Sequence, residues 1–262
     1  AYQRSDNVAP VVRRAGGESI MSNTEPVRYR RILLKLSGEA LRNKESGLSI
    51  DPEIVNGIAK RIKTVVDMGI ELAIVVGGGN IFRGISGEQG GIDRTSGDYM
   101  GMLATIINAL ALQNGLEHSG IDTRVMTALD MHKVAEPFIL RRALRHLAKG
   151  RVLIFGGGTG NPYFSTDSAA ALRASELRVD ALMKGTKVDG IYSSDPVADP
   201  TATRFEHLSY DDALQKNLKV MDGAAFSLCR ENRIPIVVFD FFKPGVMERA
   251  VAGENVGTTV GE

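Results

Sequence analysis

A chain of 262 residues is long enough for one large α/β domain or two small ones with a full core. Lys and Arg number 32 and Asp and Glu 31, a formal net charge of +1, so the balance argues against a basic surface that wraps nucleic acid. The single cysteine, Cys229, excludes an intrachain disulfide and a cysteine-based zinc site and points to a reducing, cytoplasmic setting.

Residues 1–30 are polar, mixed in charge and aperiodic, and read as a flexible leader. Its five arginines, Arg4, Arg13, Arg14, Arg28 and Arg30, outnumber Asp6, Glu18 and Glu25, so the leader holds +2 and residues 31–262 hold −1. Met21 offers a start position within it. No apolar core follows these arginines as a secretory signal requires. The longest apolar stretch, Met102 to Leu112, is broken by Thr105 and Asn108 and reaches about half of the roughly 20 residues of a membrane span, so no membrane is expected as a partner.

The folded unit begins near Arg31. Ile32 to Leu36 is a short apolar run stopped by Ser37-Gly38, which predicts a buried strand ending in a loop. Asp51-Pro52-Glu53 then opens a helix: Asp51 can cap it, Pro52 suits the first helical position, and Glu53 suits the positive end of the dipole. Ile54, Ile58, Ile62 and Val65 follow in one apolar stripe. Leu72 to Val76 predicts a second strand, with Gly77-Gly78-Gly79-Asn80 behind it, and a long helix follows over about Asp98 to His118. Thr123 to Thr127, Arg151 to Phe155, Asp180 to Met183 and Ile236 to Phe239 predict further strands, and Ser165 to Leu177 a helix. At least six strands alternating with helices imply a mostly parallel sheet covered on both faces, a three-layer α/β sandwich. Without an internal repeat or linker after the leader, residues 31–262 read as one domain with two lobes.

Glycine is in excess, 29 of 262 residues or about 11 %, against an average near 7 %. Many glycines fall directly behind apolar runs: Lys35-Leu36-Ser37-Gly38-Glu39, Gly77-Gly78-Gly79-Asn80 with Arg83, Gly156 to Asn161, and Lys184 to Gly190. In a parallel α/β sheet such loops emerge together at the carboxyl edge of the strands, where backbone N–H groups and helix N-termini favour phosphate. Neither G-x-x-x-x-G-K-[ST] nor a G-x-G-x-x-G after the first strand is present, so this edge is neither a P-loop nor a dinucleotide fingerprint. Lys35 within a buried-strand pattern is either an edge lysine reaching water or a cation for phosphate. Asp167, in a helix's first turn, is either a dipole partner or a carboxylate that orients Lys35 or holds Mg²⁺. Asp98 after Gly97 carries the same alternatives. His118, His132, His146 and His207 have no metal-ligand spacing, and Cys229 has no paired cysteine and no evident base.

Taken in order, these loops resemble the amino-acid-kinase family, and within it the UMP kinase branch. The matching segments are Lys35 to Leu41, Gly77 to Gly84, Gly97 to Met102, Gly158 to Ser168, Lys184 to Tyr192 with Asp195-Pro196, and Lys219 to Asp222. The resemblance runs from about Arg31 to the C-terminus and implies one catalytic domain with phosphate-acceptor and ATP lobes. It implies γ-phosphoryl transfer from ATP, with its Mg²⁺, to UMP in pyrimidine nucleotide synthesis. Carried over by position, Lys35, Leu36, Ser37, Gly38, Gly79 and Arg83 face the ATP phosphates, and Thr186, Tyr192 and Asp195 hold the adenosine end. Gly78, Asp98, Thr159, Gly160, Asn161, Pro162, Tyr163, Phe164, Ser165 and Thr166 hold UMP. Lys35, Asp167 and Arg83 are the expected catalytic set, with no metal held by the protein. The resemblance also implies a homohexamer activated by GTP and inhibited by UTP, the region Asn43 to Leu48 corresponding to one linked with the GTP response.

Two other readings stay open from the residues alone. A kinase for another small anion, such as carbamate, an acidic amino acid or an isoprenoid phosphate, would use the same loops but has no use for ribose recognition by Asp98. A catalytically silent nucleotide sensor would keep the glycines without needing Lys35 and Asp167. An oxidoreductase is disfavoured by the missing dinucleotide fingerprint.

Overall fold

The computed structural model describes residues 27–82, 91–196, 198–216, 218 and 221–262. Most of the expected leader lies outside these residues, as does Arg83. Within its last four residues Tyr29 is buried and donates its N–H to the Val251 carbonyl at 3.2 Å, so packing starts ahead of Arg31.

β1 (Arg31–Leu36) and β2 (Glu71–Val76) form where the apolar runs predict strands. Ile32, Leu34 and Leu36 join Leu72, Ile74 and Val76 in one hydrophobic cluster, while Leu33, Ala73 and Val75 point into the other, as the two-residue period of a strand requires. Between these strands a 3-10 turn (Gly38–Leu41) is capped by Ser37, and α1 (Pro52–Asp67) is capped by Asp51, which accepts from the Glu53 and Ile54 N–H groups at 2.8 and 3.2 Å. α2 (Arg94–His118) begins four residues earlier than the sequence predicts. Its cap is Asp93, accepting from the Ser96 N–H at 3.0 Å, and Asp98 therefore sits in the second turn rather than at the start.

The chain continues through β3 (Thr123–Thr127), β4 (Glu136–Pro137), α3 (Leu140–Ala148), β5 (Val152–Gly156), α4 (Thr166–Leu177), β6 (Ala181–Thr186), β7 (Ile191–Tyr192), β8 (Arg204–Phe205) and β9 (His207–Leu208). It ends with α5 (Tyr210–Gln215), α6 (Gly223–Glu231), β10 (Ile236–Asp240), α7 (Val246–Ala252) and β11 (Thr258–Val260). Among the described residues nine strands make one sheet in the order β4, β3, β5, β2, β1, β6, β10, β11, β9. Every neighbouring pair is parallel except β10 with β11, and β7 and β8 form a separate antiparallel ribbon. α1, α2 and α7 cover one face and α3 to α6 the other, giving the three layers expected. Cys229, on the buried side of α6, has its thiol pushed up to about 12 by desolvation and is an inert packing residue.

The chain leaves β1 for β2 on one side and returns through β6 on the other. At such a reversal of strand order the connecting loops part, and a crevice opens at the carboxyl ends of the strands.

Candidate functional site

At that crevice Lys35 of β1 lies directly opposite Lys184 of β6 in the parallel register. Two residues earlier on each strand, Leu33 and Leu182 belong to the cluster beneath α4 and α6, so alternation sends both lysines to that face. Asp167, in the first turn of α4, meets them there. Its Oδ1 is 2.7 Å from Lys35 Nζ and its Oδ2 is 2.9 Å from Lys184 Nζ, and none of the three side chains is more than 15 % exposed. Ser165 fixes the helix start, accepting from the Asp167 and Ser168 N–H groups at 3.0 and 3.2 Å. Its own hydroxyl donates to Asp222, as does that of Ser168 at 2.9 Å, and Asp222 in turn caps α6 by accepting from the Ala225 N–H.

Burial by itself raises the Asp167 carboxyl, but Lys35 and Lys184 more than offset this, and the net shift is downward. Desolvation lowers Lys184, Lys35 adds repulsion, and Asp167 and Asp222 only partly compensate. Two ammonium groups meet at one carboxylate beside the positive end of α4, with Asp222 also acting on Lys184, so cationic donors are concentrated at this point. The arrangement is suited to a multiply charged anion such as a phosphate chain.

The glycine loops close in on this centre. A Cβ on Gly38 would stand 2.6 Å from the Gly77 carbonyl oxygen, and one on Gly78 would stand 2.7 Å from the Gly101 carbonyl oxygen of α2, so neither loop tolerates a side chain. The Gly157 N–H donates to the Thr105 hydroxyl of α2 at 2.8 Å. α2 thus backs the loops after both β2 and β5, and brings Asp98 to the segment 159–166. Asp98 Oδ2 accepts from the Tyr163 N–H at 2.7 Å and from Arg94 Nε at 3.0 Å, while Oδ1 has no hydrogen-bond partner among the described residues. Tyr163 pays for this turn with a left-handed φ of 71°, and its ring lies 5.6 Å from the Arg94 guanidinium. Tyr163 and Phe164 stay 67 % and 57 % exposed. Thr159 and Asn161 brace the loop, the Asn161 N–H donating to the Thr159 hydroxyl at 3.2 Å, with Gly160 and Pro162 between and beyond them.

On the other side of the lysines, Thr186, Tyr192 and Asp195 line one cavity of about 710 Å³ together with Lys184, Val188 and Leu218, a volume that suits a nucleoside. Tyr192 donates to Asp189 Oδ1 at 2.6 Å, which raises its phenol pKa. Lys35 in β1, Ser37 and Gly38 behind it and Gly79 behind β2 lie outside this cavity, and Lys184 with Asp167 links the two groups. The Leu36 side chain is core, so only its backbone reaches the loop, its carbonyl accepting from the Gly77 N–H.

Sequence reasoning did not single out Lys184, Ser168 or Asp222 as site residues. Lys184 carried the same signal as Lys35, a lysine closing an apolar strand. Gly185 concealed it by making the strand look finished at Met183, yet that glycine sits inside β6 because Leu36 and Phe241 press on it. Ser168 and Asp222 meet across 54 positions of chain, a distance no local pattern encodes.

Comparison with known proteins agrees with this geometry. The model of the amino acid kinase family matches residues 30–240. The chain is similar to the UMP kinase of Bacillus anthracis, with 44 % identity and a TM-score of 0.86 over 89 % of this chain and 96 % of that one. It is also similar to the UMP kinase of Ureaplasma parvum, with 40 % identity and a TM-score of 0.84 over 90 % and 100 %. With the uridylate kinase of Archaeoglobus fulgidus it shares 28 % identity and a TM-score of 0.67 over 87 % and 99 %. The family match covers every strand of the sheet but β11, with the lysine pair and the loops at the crevice, and the chain belongs to the amino acid kinase family.

Proposed function

We propose that this chain is a UMP kinase, transferring the γ-phosphoryl group of ATP to the phosphate of UMP to give ADP and UDP. The observation that carries the reading is Asp167 clamped between Lys35 and Lys184, with a nucleoside-sized cavity on one side and the Asp98 loop on the other. Identities of 40–44 % to the two bacterial UMP kinases over most of each chain support the acceptor. Lys35, the backbone of Leu36, Ser37 and Gly38, Gly79 and Arg83 face the ATP phosphates, and Thr186, Tyr192 and Asp195 hold adenosine. Gly78, Asp98 and residues 159–166 hold UMP, Asp98 accepting from ribose hydroxyls through the Oδ1 that Tyr163 and Arg94 leave open.

In the transfer an oxygen of the UMP phosphate bonds to the γ-phosphorus as the bond to the β,γ-bridging oxygen breaks, and that electron pair remains on ADP. The attacking oxygen is already anionic, so no general base is required; positioning and charge neutralisation supply the rate. Asp167 keeps both ammonium groups directed at the transferring group, and Arg83 adds a forked donor.

Among the described residues no three His, Cys, Asp or Glu side chains converge as a metal cage, and both Asp167 oxygens face lysines. These donors fit a magnesium ion carried on the nucleotide rather than one held by the protein, in keeping with its preference for phosphate and water oxygens. When bound, that ion would neutralise charge on the phosphate chain.

The same reading includes a homohexamer in the cytoplasm, activated by GTP and inhibited by UTP, serving pyrimidine nucleotide synthesis. Self-association is supported by an apolar strip on α2, where Leu103 and Ile107 are 45 % and 50 % exposed beside Tyr99 and Met100. A reducing setting is supported by the lone buried Cys229. No described helix is long and apolar enough to cross a membrane.

The test is ADP release from ATP-Mg²⁺ with UMP, CMP, dUMP, carbamate and glutamate offered separately, each with and without GTP. Turnover confined to UMP is expected. Turnover with carbamate or glutamate instead would discard the UMP pocket, and silence with all five would favour a nucleotide sensor.

A further inference from the structure

A second polar cluster lies behind the glycine loops, outside the lysine centre. Asn108, in the middle of α2, is 0 % exposed and Asn80, closing the loop after β2, is 6 % exposed. Buried amides are costly unless every donor finds an acceptor, and here all do. Asn108 Nδ2 donates to Asn80 Oδ1 and to the Gly77 carbonyl, both at 2.7 Å. Asn80 Nδ2 donates to Asn108 Oδ1 at 3.0 Å and to the Ser49 carbonyl at 2.7 Å. The four amide hydrogens of the pair are thereby spent, two between the side chains and two outward. Gly38 completes the fit, because a Cβ there would stand 2.4 Å from Asn80 Oδ1.

The pair therefore joins four pieces of chain at one point: the loop ending at Ser49, the turn at Gly38, the glycine loop at Gly77, and α2. Two of these carry residues assigned to ATP. The fourth carries Asp98 ten positions before Asn108, about 15 Å along a rigid helix at 1.5 Å per residue. We infer that Asn80 and Asn108 form an amide clasp that sets the ATP-phosphate loops and the acceptor helix in mutual register, making both positioning residues for phosphoryl transfer. The inference rests on the kinase reading above. A geometry error of about 1 Å between donor and acceptor is costly in a reaction driven by alignment, whereas the folded core can tolerate it.

The experiment is a double-mutant cycle with Asn80→Ala, Asn108→Ala and both together, reading kcat, the KM for each substrate and the melting temperature. Asn108→Asp, nearly isosteric, is added in case truncation prevents folding: it keeps the shape but replaces the two N–H donors of Nδ2 with one acceptor oxygen facing the Gly77 carbonyl and Asn80 Oδ1. A clasp predicts folded variants with kcat lowered about ten- to hundredfold, KM values changed less than kcat, and a double variant no worse than the poorer single one. Asn108→Asp should be impaired at least as much as Asn108→Ala. Unchanged kcat with a lowered melting temperature, or losses that multiply in the double variant, would overturn the inference and leave the pair as plain core structure. Wild-type turnover with UMP tests the kinase reading separately, and the cycle is run with whichever acceptor the wild type consumes.

Discussion

On the proposed donor side of the crevice, Lys35 and Lys184 are each bonded to Asp167 in the first turn of α4. On the acceptor side, Tyr163 and Phe164 project into solvent, and the loop is held through its backbone by one oxygen of Asp98. On the proposed reading the donor-side lysines are the charge-neutralising groups, held in place by their own contacts at the cost of desolvating Lys184. The acceptor loop is held by few bonds and keeps its large side chains unburied. Pre-organisation is concentrated where charge is handled, since fixed dipoles there need no reorganisation during reaction; selectivity is left to a segment able to adjust around a base.

If this contrast is right, damage to the two sides separates. Lys35→Ala should leave the melting temperature within a few degrees of wild type and lower kcat by about three orders of magnitude, because a phosphoryl-facing cation is removed from a water-poor site. Wild-type turnover in that variant, measured by coupled ADP release, would refute the assignment. Asp98→Ala should raise the KM for UMP by about ten- to hundredfold while that for ATP moves little; equal losses for both nucleotides would make Asp98 a brace for Tyr163 rather than a ligand.

The smallest effect is in pH dependence. Lys184 loses its proton below the ordinary lysine range, first because it is desolvated and then because Lys35 repels it. kcat should therefore decline on the alkaline side earlier than an exposed lysine would allow, and Lys184→Arg should move that decline upward, since guanidinium holds its proton more tightly. For stability the sign is opposite. Between the folded value of Lys184 and its unfolded value the unfolded chain binds more protons, so this group's contribution to stability rises with pH across that window. A kcat profile flat to the ordinary lysine range would remove Lys184 from the charge-handling set.

Strands β1, β2, β3, β5, β6 and β10 were legible because each holds a short apolar run, broken by a polar residue in β1, β3 and β6, and α1 because Asp51-Pro52-Glu53 spells out a helix start. The two-residue strands β4, β7, β8 and β9 have no period to read; β4 and β9 form on the edges that β3 and β11 offer, and β7 and β8 pair only with each other. α3 is short and rich in arginine, and its burial rests on Ala143 and Leu147. Asp93 lies among glycines, so its role as the cap of α2 was obscured and Asp98 took its place in the prediction. In the site, Lys35 and Asp167 were legible from strand and helix context, but their shared partner Lys184 needed the β1–β6 register, a contact between segments almost 150 residues apart.

That register has a consequence for how the site can change. The hydrogen-bonded ladder between β1 and β6 fixes Lys35 and Lys184 side by side, so the sheet acts as the ruler of the proposed centre. Inserting or deleting a single residue within either strand upstream of its lysine would turn that lysine to the opposite face, under α1 and α7, and expel an aliphatic side chain from the core in the same step. Loop lengths around the crevice are free to drift, but wherever both lysines are present their spacing is set by the β1–β6 register.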